Sequence, residues 1–247
     1  MGQITTSFCG QRLRIGREFR ARTQSELAQK VSASTALISL CEAGKNKRPA
    51  QHFVEACGAV LGFEPAFFYA PLEDVFQEDE CNFRHRGTTP ERIKAQIRAH
   101  GTLIGLVIQT LRSRRLFPPI NVPRVAASSS EQIELAAEHC RQHWNLGLDG
   151  PVPQLRTVLE EAGVIVIDHV VKSTKVDTFS RYSARMAVIF PNEQMQSSSV
   201  WNFDIAHELG HMVMHLGGHL KTGHAWSLQN RPYEMARDVI LFYPAFS

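Results

Sequence analysis

Apolar residues recur at helical spacing through most of the chain, and short β-branched runs enter only after residue 163. Leu13, Ile15 and Phe19 predict a first helix, with Arg12, Arg14, Arg17, Arg20 and Arg22 giving it a basic face. Thr23-Gln24-Ser25-Glu26 has the form of a capping box and starts a second helix carrying Leu27, Ala28 and Val31. Ser32-Ala33-Ser34 is a turn, and Ser34 caps a third helix from Thr35 to Ala43 that Gly44 stops. A fourth helix runs through Phe53, Val54, Cys57 and Leu61 to Gly62, and Pro65-Ala66-Phe67-Phe68 is a further helical turn.

Beyond these five helical pieces the pattern changes. Residues 72–80 are acidic, lack a sustained apolar period and read as a linker. A helix from Glu91 shows Ile93, Ile97, His100, Ile104, Val107, Ile108 and Leu111 at helical spacing, and it reads as a bridge between two domains. His85 and His100 are read as surface or packing residues. Ser129 to Gln132 can cap a helix with Ile133, Leu135, Ala136, Cys140 and Trp144 on one side, and Leu155, Val158, Leu159 and Ala162 make the next, stopped by Gly163. Val164 to Ile167 and Met186 to Phe190 are strands. Ile205, Leu209, Met212 and Val213 form the stripe of a last amphipathic helix, for which Asp204 is a candidate N-cap or first-turn acid. The fold class is mainly α with a small β-sheet (α+β). It divides into a five-helix domain at 8–71, a linker and bridging helix at 72–130 and an α+β domain at 131–247.

Composition narrows the class. The 247 residues are 43% hydrophobic and 21% charged, enough to bury a core. No apolar run is long enough for a transmembrane helix, and the N-terminus lacks the apolar core of a signal peptide, so a cytoplasmic protein is expected. The five cysteines are odd in number, scattered and without a C-x-x-C, which predicts reduced thiols. The net charge is only +3, but residues 1–71 hold nine Lys and Arg against five Glu. That surplus suits a surface that contacts phosphates.

Two short helices joined by a tight turn, followed by the basic loop Lys45-Asn46-Lys47-Arg48, make a helix-turn-helix pattern. Gln24-x-Glu26-Leu27-Ala28 and then Ser34-x-x-x-Ile38-Ser39-x-x-Glu42-x-Gly44 resemble the XRE family of phage-repressor-like DNA-binding domains, over nearly all of 8–71. The resemblance implies a double-stranded DNA operator as partner. Thr35, Ala36 and Ser39 would face the major groove, Ser34 would sit at the head of that helix, and Gln24 would touch backbone or bases. Lys45, Lys47 and Arg48 would contact phosphates. Ser32 stands where the family has Gly in the turn, and Leu40 and Cys41 are less polar than usual for a recognition helix. Palindromic operators make a homodimer the natural assembly.

The last helix carries His207-Glu208-Leu209-Gly210-His211, an H-E-x-x-H. Residues four apart share one helix face, so His207 and His211 can grip one Zn²⁺ through two imidazoles, and Glu208 beside them can act as general base. The plainer alternative is an amphipathic helix that happens to carry histidines. The segments Ile133-Glu134-x-Ala136-Ala137-Glu138, Trp144, Leu159-Glu160-x-Ala162-Gly163-Val164, Phe179-Ser180 and Ala206 to His211 with His215 resemble the ImmA/IrrE family of metallopeptidases, over roughly 131–215. The resemblance implies a zincin-like domain that cleaves a repressor-like protein, and its pairing with an XRE domain is a known combination in bacterial and phage regulators.

A metzincin would need Gly at 214 and His at 217, but the chain has Met214 and Gly217. The resemblance implies instead a Glu ligand on a following helix. Glu234 is the best candidate, with Asp238 second and the loop residues His219 and His224 as substitutes; His215 lies off the metal face. The match weakens after about Gly223, which predicts a truncated or shifted C-terminus. If the third ligand is missing, the second domain is a degenerate module for sensing or interaction.

Overall fold

The structure is a computed structural model that describes residues 7–72, 81–85, 90–127, 129–152, 154–168, 176–183, 186–191 and 198–214. These residues fall into two compact units. One holds the described residues up to 72 together with 90–107, and the other holds 81–85 and the described residues from 108 onward.

The first unit is helical: α1 (Gly10–Phe19), α2 (Gln24–Lys30), α3 (Thr35–Glu42), α4 (Gln51–Leu61) and a 3₁₀ turn (Pro65–Tyr69). Their apolar sides meet in one core around Leu13, Leu27, Ile38, Val54, Leu61 and Phe68. Gly10 allows α1 to cross the end of α3, because a Cβ there would stand 1.9 Å from the carbonyl oxygen of Cys41. The long helix α5 (Glu91–Ser113) joins this unit through its first part, where Arg92 Nε donates to the Ala21 carbonyl (2.6 Å) and His100 lies against Phe19, ring centroids 4.3 Å apart.

The basic face expected on α1 is only partly solvated, through Arg14 and Arg20. Arg12 and Arg17 are buried. Arg12 NH2 donates to the Pro71 carbonyl (2.7 Å), Arg20 Nε donates to the Leu61 carbonyl (2.7 Å), and Arg14 pairs with Glu18. Arg12 and Arg20 thus satisfy carbonyls at segment ends, and their guanidiniums lie over the rings of Phe67 and Phe19. Val107 and Leu135 also depart from expectation, being exposed. Each is next to a buried residue, Ile108 and Ala136, and helical neighbours point about 100° apart.

The second unit is α+β. Helices α6 (Ser130–His143), α7 (Leu155–Glu161) and α8 (Ser198–Met214) accompany a sheet of β1 (Cys81–His85), β2 (Ile165–Val166), β3 (Val176–Ser183) and β4 (Met186–Phe190), in the order β1-β3-β4-β2. β3 runs antiparallel to both β1 and β4, and β2 runs parallel to β4. The predicted strand at 164–167 shortens to two residues, and β1 and β3 were not anticipated. β4 is buried throughout, with Ala187 and Ile189 in a core that also takes Ile133, Leu159, Ile205 and Leu209. Arg141 is buried on α6 and holds the following turn through the carbonyls of Gly147 and Gly150, each at 2.7 Å.

Asp204 is not a cap. α8 begins at Ser198 and Asp204 lies well inside it. The start was hidden because the first residues, Ser198 and Ser199, contribute nothing to the apolar period that marked the helix.

Candidate functional site

The stripe read from the sequence fixes α8 in the second core: Ile205, Ala206, Leu209, Met212 and Val213 are all buried. His207 and His211 therefore share a flank of the helix one turn apart. Their ring centroids are 4.9 Å apart with an interplanar angle of 79°. Two imidazoles on one tetrahedral ion, with Zn–N near 2.1 Å, hold their centroids roughly 5 Å apart. The centroid spacing of His207 and His211 is compatible with such a pair. His207 is 7% exposed and Glu208 only 2%.

Ser180 of β3 donates a hydrogen bond from Oγ to Glu208 Oε2, tying the sheet to α8 at this point. In the sequence Ser180 stood only as part of a resemblance; the strand that brings it to Glu208 was unread. Among the described residues, no three His, Cys, Asp or Glu side chains converge to hold a metal ion. Glu234, Asp238, His215, His219 and His224 lie outside the described residues. Burial pushes the thiols of Cys57 and Cys140 each up to about 12, which disfavours metal ligation or catalysis by these two.

In the first unit, α2 and α3 are set by their caps. Thr23 Oγ1 accepts from the Glu26 amide (3.1 Å) while Glu26 returns a bond to the Thr23 amide (2.6 Å). That backbone bond holds the Glu26 carboxyl below its ordinary range. Ser32 adopts φ +52° in the turn, the left-handed conformation that the usual Gly would provide. Ser34 Oγ accepts from the Leu37 amide (3.1 Å) and heads α3. At the other end Gly44, with φ +70°, closes a Schellman motif. Its amide donates to the Cys41 carbonyl and the Lys45 amide to the Leu40 carbonyl, both at 3.0 Å. The motif fixes where the basic loop leaves the helix.

The two helices are also joined from within. Arg17 makes a two-pronged pair with Glu42, Nε–Oε1 2.6 Å and NH2–Oε2 2.8 Å, and Gln24 Nε2 donates to the same carboxylate at 2.8 Å. Gln24 is half-buried, with its amide turned to Glu42, whereas Ser34, Thr35, Ala36, Ser39, Lys45, Lys47 and Arg48 are all exposed. The exposed side of α3 and the loop after it therefore present one continuous stretch to solvent.

Residues 9–66 match the family model described as Helix-turn-helix domain. This stretch is a helix-turn-helix domain. No curated protein and no solved structure matches the chain.

An exposed recognition helix followed by a basic loop is the arrangement by which helix-turn-helix domains engage duplex DNA. Exposed cations flank the two helices, Lys30 at the end of α2 and Lys45, Lys47 and Arg48 after α3, while Arg14 on α1 and Arg20 at its end are exposed as well. The arginines of α1, which made up much of the charge surplus, serve mainly the fold. The Arg17–Glu42–Gln24 bridge went unrecognised because nothing in an amphipathic pattern marks a charged residue as buried. No described helix is long and apolar enough to cross a membrane.

Proposed function

We propose that the chain is a transcriptional regulator of the XRE type that binds a double-stranded DNA operator through residues 9–66. We further propose that its second unit carries a zinc-dependent endopeptidase site, like that of the ImmA/IrrE family, that cleaves a repressor-like protein. The observation that carries the first part is the fully capped α2–turn–α3 unit with its exposed helix and basic loop. Binding is measured as a function of salt. Affinity should fall steeply as salt rises, and Lys47→Ala with Arg48→Ala should flatten the slope by about one to two phosphate contacts. Binding that ignores salt would overturn the reading.

The second part is supported by the spacing of the two imidazoles on α8. His207 and His211 would hold the zinc ion, with Glu234 as the third ligand. When bound, the ion would supply Lewis-acid chemistry, polarising a peptide carbonyl and making water more acidic. Glu208 would take the proton from the attacking water and pass it to the leaving amine. Ser180, by holding Glu208 Oε2, would set the orientation of that carboxylate.

A second reading rests on the same bond. A Glu208 that is 2% exposed and tied to Ser180 is also what a structural carboxylate looks like, and the second unit would then sense or bind a partner without cleaving it. Zinc content separates the two. The peptidase reading requires one zinc per chain in the wild type, loss of it in His207→Ala, and loss of partner cleavage with zinc retained in Glu208→Gln. A wild type without stoichiometric zinc leaves only the second reading.

A further inference from the structure

α3 meets the solvent with an unusual set of side chains. Its exposed positions are Thr35, Ala36, Ser39 and Leu40, and Leu40 is 46% exposed. The helix contains no Arg, Lys, Asn or Gln at all. Those are the side chains that read purines through paired hydrogen bonds in the major groove. The nearby amide of Gln24 is engaged by the buried carboxylate of Glu42. What α3 can bring to a base edge is therefore methyl groups and two short hydroxyls. The major-groove feature that answers a methyl group is the C5 methyl of thymine. The cations that would hold the helix against the duplex, Lys45, Lys47 and Arg48, follow it directly and complement phosphate charge.

We infer that α3 selects its DNA by apolar contact with thymine methyl groups, made by Thr35, Ala36 and Leu40. Hydrogen bonds to purine edges play no leading part, and the preferred target is a thymine-rich duplex. The inference rests on the DNA-binding reading above and narrows it. It also gives Leu40 a use: a large apolar side chain exposed on this face becomes buried against the groove when duplex is bound.

The test uses the full chain and duplexes that it selects from a random library. Each selected duplex is remade with uracil for thymine, which removes the C5 methyl and keeps every hydrogen-bonding group. Affinity at fixed salt should drop about fourfold for each methyl contacted, from the loss of one buried apolar carbon. In Leu40→Ser, whose substitution lies on the surface and spares the caps, the thymine-to-uracil ratio should move toward one, with the larger loss of affinity falling on the thymine duplex. Equal binding of thymine and uracil duplexes by the wild type, with salt-dependent binding intact, overturns the inference and leaves the DNA reading standing. So does a Leu40→Ser variant that loses self-association while keeping the wild-type ratio, since the face would then join two copies of the chain. Failure to bind any duplex at low salt overturns the DNA reading and the inference with it.

Discussion

A buried charge has a different effect from an exposed one, and Glu42 shows the difference most directly. It accepts from Arg17 and Gln24 at once, so its removal leaves a guanidinium with little water and only the more distant Glu18 carboxylate, at 3.7 Å, as counter-charge. Glu42→Leu should cost about 3–5 kcal/mol in chemical denaturation of the first unit. Arg17→Met combined with Glu42→Leu should recover most of that loss, because it removes both charges together. A double variant as unstable as the single one would show that packing around Glu42, rather than the stranded charge, sets the cost. His100 makes a second case. Burial against Phe19, reinforced by the charge of Arg20, lowers its imidazole to about 4. The unfolded chain takes up this proton near pH 6.5 and the folded one only near 4, so between those values the unfolded state binds more protons. The stability contributed is therefore complete above 6.5 and drains away as pH falls toward 4. The protection factors of α1 amides, which remove the intrinsic pH dependence of exchange, should fall over that range, and less so in His100→Phe. The imidazole resonance itself should titrate near 4; a midpoint near 6.5 would place His100 in solvent.

At the scale of elements, the helices were legible through their apolar period, and α2, α3 and α6 through a side-chain cap as well. Thr23, Ser34, Gly44 and Ser129 all do what their identities suggest. The sheet was legible only in β4, whose Met-Ala-Val-Ile-Phe run is buried on both faces. β1 and β3 contain Asn, Arg, His, Asp and Ser among their apolar residues, and their strand identity comes from pairing with each other across about 95 residues of chain, which no local pattern encodes. For the same reason the sequence supplied His207, Glu208 and His211, which are local to one helix, but not the approach of Ser180, which depends on β3. Close approach of backbones is also invisible to periodicity. Gly10 reads as an ordinary helix residue, yet it permits α1 to cross α3. Gly10→Ala would normally raise helix propensity by about 1 kcal/mol. Here it should destabilise the first unit instead, by about 1–3 kcal/mol, as backbone shifts make room for the methyl. DNA affinity should fall with it, since α3 is the element displaced. A Gly10→Ala protein more stable than wild type would mean that α1 does not pass so close to Cys41.

For the whole molecule, the two cores share no residue among the described ones: one gathers Leu13, Leu27, Ile38 and Phe68, the other Ile133, Leu159, Ile189 and Leu209. Cooperativity in unfolding comes from shared packing, so separate cores predict separate transitions. α5 is the one described helix with residues in both units, the division falling between Val107 and Ile108. Calorimetry of the full chain should therefore show two heat-absorption peaks. Leu13→Ala, which empties a fully buried site in the first core, should cost about 2–5 kcal/mol and lower one peak only. Leu159→Ala should do the same to the other. Each kilocalorie corresponds to roughly 4–8 °C for the smaller first unit and roughly 2–4 °C for the larger second one, so the shifts are resolved. The assignment is then checked through function. At a temperature between the two peaks of Leu159→Ala, binding to a selected duplex should persist at wild-type affinity, because the helix-turn-helix domain remains folded. In Leu13→Ala, binding should be lost when the first-unit peak is passed, while far-ultraviolet signal from the second unit remains. A single peak that both variants lower equally would show that the two units unfold as one folding body, so that a change in the second unit would be felt at the helix-turn-helix domain.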